Sequence, residues 1–125
     1  MKNIPKISQS EFEIMKLLWK DHPLSSSEII ASLSEKTNWS HQTIKTFINR
    51  LLNKQVIGFE KSGRNYLYYP LFSYDDYVKV ENTSFLQRVY DGALEMLFSK
   101  FLEEENLSHE EIEKLQKILK EKQEL

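Results

Sequence analysis

Apolar residues recur at helical spacing through most of this chain, and the breaks between those stripes mark its elements. Phe12, Met15, Leu18 and Trp19 predict a first helix, opened by a capping box from Ser8 to Glu11 and running to about Lys20. Pro23 stops it, because proline lacks an amide donor and restricts the residue before it. A second capping box, Ser25 to Glu28, opens a short helix with Ile29, Ile30 and Leu33 facing inward. The polar run EKTNW (35–39) reads as a turn, with the Trp39 indole placed to pack back on the next helix as a staple. Behind the capping Ser40, the residues Ile44, Phe47, Ile48, Leu51 and Leu52 share one helical face. The period then becomes extended. Val56 to Phe59 and Tyr66 to Tyr69 read as a hairpin around a turn at Ser62–Asn65, with Pro70 expected to end the pairing.

From Ser73 onward the pattern is helical again. Tyr74, Tyr77, Val78, Phe85, Val89 and Tyr90 lie on one helix, Gly92 interrupts, and Leu94, Leu97, Phe98, Phe101 and Leu102 follow on a second. A third capping box, Ser108 to Glu111, opens a helix carrying Ile112, Leu115, Ile118 and Leu119. The expected architecture is therefore mainly α. Residues 1–72 form a winged helix-turn-helix domain, with the helix from Ser40 in the recognition position, and 73–125 form a three-helix region. Three amphipathic helices in so short a segment make a poor core alone, because they bury too small a fraction of their surface. A second copy of the chain would cover Phe85, Val89, Leu94, Leu97, Phe98, Phe101, Leu102, Ile112, Leu115, Ile118 and Leu119, so a homodimer is expected. The alternative is that these helices fold back on the front domain in a monomer.

Charge divides the chain the same way. The net charge is −2, but residues 1–72 hold ten Lys/Arg against six Asp/Glu, a balance of +4. Residues 73–125 hold seven against thirteen, a balance of −6, which also suits an ordinary solvated helical surface. Between Ser40 and Arg64 there are five cations and one acid, Glu60. Opposite the apolar face of that helix stand Gln42, Thr43, Lys45, Thr46, Asn49 and Arg50, without a carboxylate among them. Such a face suits a polyanion, and a helix fits the DNA major groove. The hydroxyls and methyls of Thr43 and Thr46 would suit base edges, Gln42 and Asn49 would suit adenine, and Lys45 and Arg50 would suit guanine or phosphate, with the six not apportioned between bases and backbone. Ser40 and His41 sit at the helix N-terminus, where amides and dipole favour a phosphate. Lys61, Arg64 and Asn65 on the hairpin would touch the DNA backbone or reach the minor groove.

The remaining composition excludes other chemistry. With 40% hydrophobic and 29% charged residues the chain is globular. It has no cysteine, so disulfides, thiolate metal sites and cysteine nucleophiles are ruled out. Its three histidines are scattered without ligand spacing, and neither a metal nor a cofactor is called for. No phosphate loop or nucleophile elbow is present, so an enzyme is not expected. No secretory segment or membrane span is evident, which points to a cytoplasmic protein without membrane insertion.

These residues together resemble the BlaI/MecI family of penicillinase repressors over nearly the whole chain. The resemblance lies in ISQSEFEIMKLLW, NWSHQTIKTFINRLLNK, YLYYPL, FLQRVYDG and ENLSHEEIEKLQKIL. Its most specific part is Trp39 and Ser40 followed by Thr43 to Thr46 and Arg50–Leu51. The resemblance implies a dimeric transcriptional repressor that binds a palindromic double-stranded operator and is dimerised by its C-terminal helices. It further implies a link to antibiotic resistance, with relief by proteolysis when a membrane sensor detects a β-lactam or another cell-wall signal. The family's cut falls at an Asn–Phe bond in the dimerisation region. The corresponding bond here is Lys100–Phe101, where lysine replaces the asparagine. The related copper-responsive CopY repressors carry a C-terminal cysteine cluster that this chain lacks.

The same winged fold also serves as a protein–protein module without DNA readout. Salt separates the two readings. DNA binding should weaken steeply as salt rises, through counterion release, whereas a protein partner's affinity should change little. A titration against double-stranded DNA between about 50 and 200 mM salt is expected to show the steep dependence.

Overall fold

The computed structural model describes residues 4–104 and 106–124. Residues 1–3, 105 and 125, which fall within the two expected segments, lie outside the described residues. The elements run α1 (Gln9–Lys20), β1 (Leu24–Ser25), α2 (Ser26–Lys36), α3 (His41–Asn53), β2 (Ile57–Ser62), β3 (Asn65–Pro70), α4 (Tyr74–Tyr90), α5 (Leu94–Glu104) and α6 (His109–Gln123). The chain is mainly α, and its front part is a winged helix-turn-helix with an antiparallel sheet ordered β1-β3-β2.

Three helix starts repeat the capping boxes read in the sequence. Ser8, Ser25 and Ser108 accept a hydrogen bond from the amide three residues on, and Glu11, Glu28 and Glu111 reach back to the cap amide. The stripes then meet. Ile14, Met15 and Leu18 of α1, Ile29 and Leu33 of α2, Ile44, Ile48 and Leu51 of α3, and Val56 and Ile57 form one buried core.

Three features differ from the sequence reading. Strand β1 was not expected, because two residues are too short to show alternation. Leu24 and Ser25 pair with Tyr68 and Leu67 and make β3 the central strand. Helix α2 continues through Lys36, so the first two residues of the expected 35–39 turn are helical, and the Thr37 amide and hydroxyl both close on the Leu33 carbonyl. Pro70 is the last residue of β3 and is itself paired, with one bond beyond it. It lies opposite Ile57, and the Leu71 amide donates to the Val56 carbonyl one step further on. Ladder bonds alternate between paired positions, so Val56–Leu71 bonds and Ile57–Pro70 needs no proline donor.

Helix α3 passes directly into β2 through a Schellman close. The Val56 amide donates to the Leu51 carbonyl and the Gln55 amide to the Leu52 carbonyl. This places Gln55 at φ +61°, a left-handed conformation that glycine adopts without a Cβ penalty.

The described chain forms two compact units, one ending at Glu81 and one beginning at Asn82. The first turns of α4 therefore belong to the first unit. Tyr74 and Tyr77 lie against Trp19, with ring centroids 5.3 and 5.5 Å away, and the Trp19 indole donates to the Phe72 carbonyl at 2.8 Å. In the second unit, α5, α6 and the rest of α4 bury no side chain fully. Asp91 (φ +51°) and Gly92 (φ +84°) make the turn between α4 and α5.

Replacing Gln55 by glycine should relieve the left-handed strain and raise the unfolding free energy of the first unit by about 1 kcal/mol. Denaturant melts of Gln55→Gly against the unaltered chain will read it, and a loss of stability would contradict the strain argument.

Candidate nucleic-acid interface

Helix α3 is held at both ends and along one side. At its start the Ser40 hydroxyl accepts from the Thr43 amide at 3.1 Å and donates to the Thr43 hydroxyl at 2.9 Å. The three helices opened by capping boxes carry a carboxylate in the first turn, whereas α3 carries none. Its amide end and dipole thus remain uncompensated by acid, which favours an incoming anion beside Ser40 and His41. Along its side, Ile44, Ile48 and Leu51 are buried, and Trp39 packs back on α3 edge-on to Phe47 at 5.2 Å.

At its far end the Lys54 ammonium meets the Glu11 carboxylate at 2.6 Å and the Lys6 carbonyl at 3.0 Å. Glu11 is 1% exposed. Burial pushes its carboxyl up, but hydrogen bonds from Lys54, the Ser8 amide and the Ser8 hydroxyl, with the Lys54 charge, outweigh this and hold it below the ordinary range. Its Oε1 closes the α1 cap and the bridge to α3 together, while Oε2 is buried without a hydrogen-bond partner. Lys54 is therefore spent on structure. The sequence count placed it among five cations of the Ser40–Arg64 stretch, and the geometry removes it from the anion-binding set.

The outward face of α3 presents the residues expected there. Gln42, Lys45, Asn49 and Arg50 are exposed, with Thr43 and Thr46 half-buried at the edge of the same face. The hydroxyls differ. Thr46 donates to the Gln42 carbonyl at 3.0 Å, which leaves its methyl and lone pairs to a ligand. Thr43 accepts from Ser40, so its own proton is free to donate outward. Arg50 lies over the Phe47 ring, 5.8 Å from the centroid, which limits where its guanidinium reaches. On the wing, Gly63 (φ +61°) starts a two-residue turn with Arg64, closed by the Ser62–Asn65 pair. Lys61, Arg64 and Asn65 are all exposed.

Sequence reasoning missed the second task of Glu11. The signal was present, because Glu11 stands three, four and seven residues before Ile14, Met15 and Leu18, on the buried stripe itself.

In the second unit the expected self-association residues share open apolar surface. Phe98, Leu102, Ile112, Leu115, Ile118 and Leu119 line a groove of about 700 Å³ between α5 and α6. Phe85, Leu97 and Phe101 line a second hollow between α4 and α5, and Val89 and Leu94 are exposed. The Lys100–Phe101 bond lies inside α5, with Lys100 3.8 Å from Glu103. Among the described residues, no His, Cys, Asp and Glu cluster could hold a metal, and no helix is long and apolar enough to cross a membrane.

Comparison with known proteins agrees with this layout. The family model described as penicillinase repressor matches residues 7–121. The chain is 42% identical over 121 residues to the penicillinase repressor of Bacillus licheniformis, covering 97% of this chain and 94% of that one. It is 35% identical over 117 residues to the methicillin resistance regulatory protein MecI of Staphylococcus aureus, covering 94% and 95%. Among solved structures it is similar to the DNA-binding domain of the repressor BlaI, with a TM-score of 0.55, 40% identity and coverage of 62% of this chain and 94% of that one. The same values hold for the monomeric form of Bacillus licheniformis BlaI in complex with the blaP half-operator.

Because the Glu11 carboxyl is depressed in the fold, its stabilising contribution is present above the ordinary carboxylate range and is lost as pH falls through the depressed value. Glu11→Gln should cost about 2 kcal/mol near pH 7. The gap to the unaltered chain should close in acid. Melts recorded from pH 7 to about pH 3 will show it, and a gap independent of pH would remove the charge from the argument.

Proposed function

Because the chain belongs to the penicillinase repressor family, we propose that it holds a palindromic operator as a homodimer and releases it when its dimerising helices are cut. The protein is a DNA-binding transcriptional repressor and not an enzyme. The observation that carries the operator reading is the two-sided build of α3. One side is locked in the core by Ile44, Ile48 and Leu51, and the other presents Gln42, Lys45, Asn49 and Arg50 to solvent beside the two threonines.

In this reading α3 enters the major groove, where Thr43, Thr46, Gln42 and Asn49 meet base edges and Lys45 and Arg50 meet guanine or phosphate. Ser40 and His41 receive a phosphate at the helix start, and Lys61, Arg64 and Asn65 hold the backbone from the wing. Two copies join through the apolar faces of the second unit, where Phe98, Phe101, Ile118 and Leu119 are exposed among the described residues. Joining matters because each half-site alone is held weakly, and tethering makes the second engagement effectively intramolecular.

Relief follows from the same logic. A cut at Lys100–Phe101 would detach Phe101, Leu102, Ile112, Leu115, Ile118 and Leu119 from the shared surface. The bond is helical and proteases take extended chain, so α5 must open locally for cleavage by the protease of a membrane sensor system. The regulated genes are proposed to be antibiotic-resistance genes, as the description of its relative MecI as a methicillin resistance regulatory protein supports. The setting is the cytoplasm, where such an operator lies.

Footprinting on the DNA upstream of the coding sequence should show two protected half-sites about one helical turn, roughly 10 bp, or a multiple apart. Changing Lys45 and Arg50 together to alanine should lower affinity roughly 100-fold with unchanged circular dichroism, since both side chains are exposed. A single unrepeated footprint would end the dimer reading, and full affinity in the double variant would end the assignment of α3.

A further inference from the structure

The hairpin carries a feature that its cations do not account for. Alternation puts Ile57, Phe59 and Lys61 of β2 on one face with Pro70, Tyr68 and Tyr66 of β3. Near the base of the hairpin this face is core, with Ile57 at 2% and Tyr68 at 8% exposure. Toward the tip the same face leaves the core but stays aromatic. Phe59 and Tyr66 meet edge to face at 4.8 Å, yet remain 50% and 46% exposed. Lys61 stands directly opposite Tyr66, and Arg64 occupies the adjoining turn. Glu60, the acid of this hairpin, pairs with Leu67 on the opposite face.

We propose that Phe59 and Tyr66 form a ledge that packs against the deoxyribose edge of the operator strand whose phosphates Lys61 and Arg64 hold. The inference rests on the DNA-binding reading above and adds an apolar contact to a wing so far credited only with charged and polar ones. A sugar between two phosphates offers a small C–H surface flanked by two anions. This wing offers a small aromatic surface with two cations next to it on the tip side, so an apolar contact and phosphate contacts are available side by side. Covering the rings also removes from water an apolar surface that the described residues leave half exposed. The ledge is continuous with the proposed backbone-contacting residues, which favours DNA over a second protein as its occupant.

Apolar contact and ion pairing separate by salt. The full-length chain is first used to enrich binding duplexes from a random pool. Affinity for one of them is then measured over a range of salt for the unaltered chain, for Phe59→Thr/Tyr66→Thr and for Lys61→Ala. Threonine keeps strand propensity while removing the rings. The double variant is expected to bind about tenfold more weakly at every salt concentration, with the slope of log affinity against log salt unchanged, because the rings displace no counterions. Lys61→Ala should lower that slope by about one. Nuclear Overhauser contacts from the Phe59 and Tyr66 ring protons to deoxyribose protons are expected in the unaltered complex, and this measurement stands even if the double variant folds poorly. Undiminished affinity in a folded double variant, a changed salt slope, or ring protons without sugar contacts would each overturn the proposal. So would altered self-association in place of altered DNA affinity, which would make the ledge a contact between copies. If the unaltered chain enriches no duplex, the DNA-binding reading itself fails and takes this proposal with it, an outcome distinct from failure at the ledge alone.

Discussion

The buried carboxylate of Glu11 is the constraint on which the DNA-binding unit turns. An ionised group in a protein core is costly unless it is paired and hydrogen-bonded. Glu11 is paired through Oε1 alone, by the Ser8 amide and the Lys54 ammonium, while Oε2 stays buried without a hydrogen-bond partner. The start of α1 is thereby tied to the chain just beyond the end of α3, across 43 positions of sequence. Ser40 and the Trp39–Phe47 contact secure the other end of α3. The exposed face of that helix is therefore presented by groups that stand outside it. The support of that face is a charge pair, a cap and a packed stripe.

The two ends of the chain meet the problem of apolar burial differently. The first unit draws Ile14, Ile29, Ile44, Val56 and Ile57 from separate elements into one core, so it has an interior of its own. The second unit has clear stripes on α5 and α6 and a weaker one on α4, but among its described residues none is fully buried, and its phenylalanines and leucines line open grooves. In the proposed homodimer these uncovered stripes would be the surface that joins the two copies. The proposed DNA-contacting surface and the proposed joining surface thus lie on different segments of chain.

Local chemistry was legible where residues a few positions apart decide it. The serine–glutamate boxes, the stripe of α3 and the breaks at Pro23 and Gly92 all appear in the fold at the expected residues. The sequence reading failed where the partner lies far along the chain. Strand β1 exists because β3 passes beside Leu24 and Ser25, and two residues hold no period to read. Pro70 stays in the ladder because its register with Ile57 asks nothing of its missing amide, and register is a property of the pair. Tyr74 and Tyr77 read as part of the helical tail, but Trp19 and Phe12 draw them onto the first unit.

By itself, then, the sequence determined the helices, the hairpin, the division of charge and the polar face of α3, because periodicity and capping act within a few residues. It also carried enough of the family's pattern to point to a repressor. Tertiary structure decided which of those charges remain for a ligand. Lys54 and Arg64 are equivalent as letters in a basic stretch, yet one is consumed by a buried carboxylate and the other stands in solvent at the tip of the wing. It also decided that Phe59 and Tyr66, which read as ordinary strand residues, stand half outside the core beside those cations. The physical reason is the same in each case. Burial and pairing depend on what the folded chain brings near, and distance along the sequence does not report it.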